Sequence, residues 1–81
     1  MAAQVPILPT NLEDATHVVQ RMIERQISWT DVLAVIANPS KTVPGHSGRM
    51  NHYAVVGGRR LRVTIDASNV LWTVAIAGRT A

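Results

Sequence analysis

The chain has no cysteine and no phenylalanine, and its only aromatic residues are Trp29, Tyr53 and Trp72. The missing thiols exclude disulfides and thiolate-held metal. The shortage of rings leaves Val, Ile, Leu, Ala and Met to build the core. Lysine is also scarce: Lys41 is the single lysine among 8 cations, and the rest are arginine. No apolar run approaches the ~18 residues of a membrane span. Residues 1–11 lack a cationic leader and are broken by Pro6 and Pro9, so they do not read as a secretory signal. No contact with a membrane and a cytoplasmic location are therefore expected. There is no internal repeat, linker or low-complexity stretch.

What is present is enough for one domain. The 81 residues are 47% hydrophobic, which is ample for a globular core and excludes wholesale disorder. A chain of this size has a small core and gains from close packing or from forming a homodimer. The net charge is +3 and the pI is about 10.7. Arginine offers a planar fork that matches phosphate or carboxylate, whereas lysine offers a point charge. The basic balance fits a mildly basic soluble domain and equally a nucleic-acid partner.

Periodicity predicts the elements. Residues 1–10 form an extended lead-in, and Asn11 caps a first helix whose first turn carries Glu13 and Asp14. Leu12, Ala15, Val19, Met22, Ile23 and Gln26 form its apolar stripe, with Val18 beside them, and the helix ends near Gln26. Ser28 and Asp31 form a capping-box-like pair at the start of a second helix, which Asn38-Pro39 stops. The period then changes to two. Strands are expected at Lys41–Val43, Asn51–Val56, Arg60–Asp66 and Val70–Ile76, with a primed two-residue turn at Gly57-Gly58. In the last strand Val70, Trp72, Val74 and Ile76 fall on one face, which assigns Trp72, like Trp29, to the core rather than to a base-stacking platform. The predicted fold is α+β: two N-terminal helices packed on one face of a three- to four-stranded antiparallel sheet. The domain spans 11–77, followed by a tail at 78–81.

Three groups of residues have chemical potential. His17 and Arg21 lie four apart on the polar face of the first helix, where an imidazole can exchange protons beside a guanidinium. The same spacing also describes an ordinary solvated helix face. Arg60 and Arg62 share one face of the third strand, near Thr73 on the next. They are either a phosphate-holding floor or charges that keep a sheet soluble. The loop Pro44-Gly45-His46-Ser47-Gly48-Arg49 joins backbone amides, an imidazole and a guanidinium in a possible anion nest, although any turn between strands also needs such glycines. His17, His46 and His52 have no carboxylate or cysteine at ligand spacing, so neither a metal site nor a cofactor is expected.

The pattern His17, Arg21-Met22, Arg25, Ile27-Ser28, Asp31-Val32, Asn38-Pro39, Leu61-Arg62-Val63 and Thr73-Val74 resembles the bacterial family called domain of unknown function 4258, over roughly residues 15–76. That family looks like a relative of the RelE-like and BrnT toxins, small basic proteins many of which cleave RNA without metal. The resemblance implies a RelE-like fold, a toxin-antitoxin setting with an antitoxin partner, and RNA as substrate, including RNA on the ribosome. It points to His17, Arg21, Arg62 and Thr73 as catalytic residues and to Arg25 as a supporting one.

The expected function is that of a metal-independent endoribonuclease. His17 would transfer protons, Arg21 and Arg62 would hold the phosphate, and Thr73 would donate a hydrogen bond. Arg49, Arg60 and His46 would guide the RNA strand. The alternative is a non-catalytic module that binds nucleic acid or protein through the same surface.

Overall fold

A computed structural model describes residues 5–79. Helix α1 spans Leu12–Arg25 and α2 spans Trp29–Ala37; β1 (Lys41–Pro44), β2 (Met50–Val56), β3 (Arg59–Ile65) and β4 (Leu71–Arg79) follow, with a short 3₁₀ turn at His46–Gly48. The strands form one antiparallel meander in the order β1-β2-β3-β4. Helix α1 packs on β4, and α2 packs on β2 and β3. The architecture is therefore α+β, as predicted.

The helix boundaries follow from local chemistry. The Asn11 side chain accepts from the Asp14 N–H at 3.2 Å, and Gln26 ends α1 in the left-handed region at φ 53°. Ser28 and Asp31 form a complete capping box on α2: the Asp31 N–H donates to Ser28 Oγ at 3.1 Å and the Ser28 N–H to Asp31 Oδ2 at 3.0 Å.

The core comprises Val18, Ile27, Val32, Val35, Ala54, Leu61, Val63, Ile65, Leu71 and Val74. On α1 the buried face is rotated from the predicted stripe. Val18 is buried, whereas Leu12 and Ile23 are 81% and 72% exposed. Periodicity located an apolar arc wider than the sheet covers, and only the edge of that arc nearest β4 is used. The uncovered part forms an apolar cleft of about 800 Å³ with Ile7, Leu8 and Trp29, so Trp29 is a rim residue rather than core.

A second correction concerns β4. Thr64 pairs with Thr73 but Ile65 pairs with Leu71, so Trp72 is an extra residue in a β-bulge. The bulge changes the alternation: Leu71, Val74 and Ile76 face the helices, and Trp72 is released from the core. A second register shift, at Ala77, lies between the pairs Leu61–Ile76 and Arg60–Gly78. Strand pairing continues to Arg79, beyond the expected start of the tail; Thr80 and Ala81 lie outside the described residues.

The β2–β3 hairpin has both loop residues at positive φ, Gly57 at 61° and Gly58 at 80°. This is the primed turn whose twist matches the strands. A Cβ at Gly58 would meet nothing within 4 Å, so a side chain there is opposed by backbone strain alone. Gly58→Val is expected to destabilise the domain by about 1–3 kcal/mol. Urea titration of the variant checks this; an unchanged midpoint would contradict the turn assignment.

Candidate functional site

The hairpin sets the register that builds the site. Val56 faces Arg59, so Tyr53 faces Arg62, Asn51 faces Thr64 and Val55 faces Arg60. Leu61, Val63 and Ile65 point to the helices, and strand alternation therefore places Arg60, Arg62 and Thr64 on the other face. Across β4 the same face carries Ala75, opposite Arg62, and Thr73, opposite Thr64; across β1 it carries Lys41, opposite Tyr53. Among the described residues no helix covers this face.

Cations and rings alternate on it. The Tyr53 ring lies between the Lys41 ammonium, 5.1 Å from its centroid, and the Arg60 guanidinium at 5.8 Å. The Arg49 guanidinium lies 4.2 Å from the centroid of Trp72. These are cation–π distances. Between the two clusters stands Arg62, whose Nε is shielded from solvent and has no hydrogen-bond partner among the described residues. The Thr64 hydroxyl donates to Asn51 Oδ1 at 2.6 Å and forms part of the floor.

Asp66 holds one end of this array. Its Oδ2 accepts from the Trp72 indole N–H at 2.9 Å, and its Oδ1 accepts from the Ser68 and Val70 backbone N–H groups at 2.8 and 3.0 Å. The bond from Trp72, then that from Val70, and more weakly those from Ser68 and the charge of Arg49, hold the carboxyl below its ordinary value against the cost of desolvation. A depressed folded-state value means that the stabilising contribution is complete above the unfolded carboxyl value and disappears as the pH falls through the folded one. Acidification below the ordinary aspartate range is expected to loosen Trp72, and its near-ultraviolet circular dichroism should fade there. The signal in Asp66→Asn should be weakened already at neutral pH; an acid-insensitive signal in the parent would refute the tether.

The other predicted site residues lie elsewhere. His17 is exposed on α1, and the cavity beside it is lined by α1 residues alone, among them Glu13, Thr16 and Gln20. The Arg21 guanidinium donates to Glu24 at 2.6 Å. Among the described residues no hydrogen bond or ion pair joins His17 or Arg21 to Arg62 or Thr73. Helix α1 packs on one face of the sheet, and Arg62 projects from the other. Arg25 serves the fold, donating to the Val74 carbonyl at 3.0 Å. His46 is exposed in the 3₁₀ turn, where Ser47 and Gly48 have φ of 57° and 74°. Among the described residues no group of three His, Asp or Glu is placed to hold a metal.

Tyr53, Lys41 and Trp72 were not among the predicted site residues. Tyr53 was within reach of the sequence, since a two-residue turn at Gly57-Gly58 already pairs it with Arg62, whereas Lys41 depends on the separate pairing of β1 with β2. Trp72 was hidden by the bulge.

No helix among the described residues is long and apolar enough to cross a membrane. No curated protein and no solved structure matches the chain. These comparisons link the chain to neither RelE-like nor BrnT toxins. A family pattern does match, over residues 15–74, from the first helix into the last strand. With that coverage of its 81 residues, the chain belongs to the family described as domain of unknown function (DUF4258).

Proposed function

We propose that the protein is a single-stranded RNA-binding module whose contact surface is the helix-free face of the sheet. The observation that carries this reading is the interleaving of two rings, Tyr53 and Trp72, with Lys41, Arg49, Arg60 and Arg62 on one open face. Single strands are held by such a combination: bases stack on rings or guanidinium planes while cations meet phosphates. A duplex keeps its bases paired and turned inward, so it presents no faces for stacking. Arg62 supports the same reading: its side chain is half-buried, its Nε has no hydrogen-bond partner among the described residues, and a guanidinium so placed gains from an anionic ligand.

The reading is one of binding without cleavage. In 2′-hydroxyl attack, proton-transfer groups must reach the phosphate that the cations hold. His17 and Arg21 lie on α1, and among the described residues no hydrogen bond or ion pair joins them to Arg62.

The test is fluorescence anisotropy with a labelled single-stranded RNA across a salt series, with the product run on a denaturing gel. Three or four phosphate contacts give a slope of about −2 to −3 in log K against log[salt], at ~0.7 per contact. Single strands should bind in preference to duplex, and the RNA should remain intact. Salt-insensitive binding would remove the reading. New 5′-hydroxyl ends that persist with chelator would restore the endoribonuclease.

A further inference from the structure

The two rings are far apart, and their separation constrains the ligand. Tyr53 is on β2 and Trp72 on β4, two strands away, and Trp72 lies three residues along β4 from Ala75, which shares a row with Tyr53 and Arg62. With strands ~4.8 Å apart, ~3.4 Å per residue and the bulge placing Trp72 between the second and third rows from Ala75, the diagonal between the backbone positions that carry the two rings is roughly 12–14 Å. Stacked neighbouring bases are only ~3.4 Å apart. Adjacent bases cannot therefore reach both rings while remaining stacked on each other.

A nucleotide has twice the backbone bonds of a peptide unit, which spans 3.80 Å, so fully extended it reaches ~7 Å. Two such steps match the diagonal. The line between the rings crosses β3 at Arg62 and Thr64, the floor residues with no acidic neighbour directly opposite: Arg62 faces Tyr53 and Ala75, and Thr64 faces Asn51 and Thr73.

We infer that the face binds an extended trinucleotide running obliquely across the sheet, its outer bases stacked at Tyr53 and at the Arg49–Trp72 pair and its middle phosphates on Arg62. This inference rests on the RNA-binding reading and adds the length, path and order of contacts. The middle base makes no ring contact, so its identity and even its presence matter little. The outer two bases supply the stacking, and Arg62 supplies an anchor that a dinucleotide spanning one ring cannot use fully.

The test uses the full chain and unlabelled oligouridylates of one to six nucleotides, competing with a labelled hexamer. Affinity should rise at least tenfold from two nucleotides to three and then by no more than the few-fold expected from additional registers. In the trimer, an abasic middle position should cost under about threefold, and an abasic end about 5- to 150-fold, the value of one stacked base. Arg62→Ala should reduce the trimer's salt slope by about 0.7. A dimer that binds as well as the trimer, or a middle base that matters as much as an end, would overturn the path while leaving RNA binding intact. If no oligonucleotide of any length competes and the hexamer itself does not bind, the underlying reading falls and the path with it.

Discussion

Tyr53→Ala is expected to weaken binding of single-stranded RNA by about 5- to 150-fold with little change in stability. One base stacked on an aromatic ring contributes ~1–3 kcal/mol by alanine substitution. The ring is the right residue to remove because it stands on the uncovered face, with Lys41 and Arg60 beside it and, among the described residues, no side-chain hydrogen bond tying it to the fold. Trp72 is less clean, since its indole also bonds Asp66 and its loss would disturb the β3–β4 turn. Tyr53→Phe should bind like the parent, which separates stacking from any role of the hydroxyl. Arg60→Ala should lower the salt slope by about 0.7 and weaken all single strands alike, as loss of a phosphate contact does. An anisotropy titration decides the matter. A Tyr53→Ala protein with parental affinity would mean that the sheet face is not the binding surface.

Much of this face was written in the sequence. Gly57-Gly58 between two alternating segments requires a two-residue turn, and that turn pairs Tyr53 with Arg62 and Val55 with Arg60 without further information. The capping box at Ser28 and Asp31 and the stop at Asn38-Pro39 were likewise local, because each depends on residues within a single turn. Trp72 was not legible. The strict alternation of Val70, Trp72, Val74 and Ile76 is a valid strand pattern, and only the pairing of Ile65 with Leu71 reveals the extra residue that turns the indole outward. A bulge is a property of two strands, and one strand's alternation does not encode it. The rotation of α1 was hidden for a similar reason. Leu12, Val19 and Ile23 are as apolar as Val18, and which arc is buried is decided by where β4 lies.

The arginines show the same limit most clearly, and they lead to the largest expected effect on stability. Arg59 and Arg60 are neighbours of identical chemistry, but the pleat sends them to opposite faces. Arg59, opposite Val56, points towards the helices; its Nη1 donates to the Arg25 carbonyl and its Nη2 to the Gln26 carbonyl, both at 2.9 Å, with Asp31 Oδ2 at 3.5 Å. These carbonyls end α1, where no intrahelical donor remains for them and the helix dipole favours a cation. Arg59 thus ties the α1–α2 junction to the sheet. Hydrogen bonds from a charged donor contribute about 1.5–3 kcal/mol each, and truncation leaves partly buried carbonyls without their partner. Arg59→Ala is expected to cost about 2–4 kcal/mol, below the sum of two such bonds because water reaches part of the site. At roughly 4–8 °C per kcal/mol for a domain of this size, the Tm should fall by at least ~8 °C. Arg60→Ala, on the open face, should change stability by no more than about 0.5 kcal/mol. Calorimetry on the two variants separates them. Equal melting temperatures would mean that the junction is not held by Arg59, whereas a drop confined to Arg59→Ala assigns one arginine of the pair to the fold and leaves the other for the ligand.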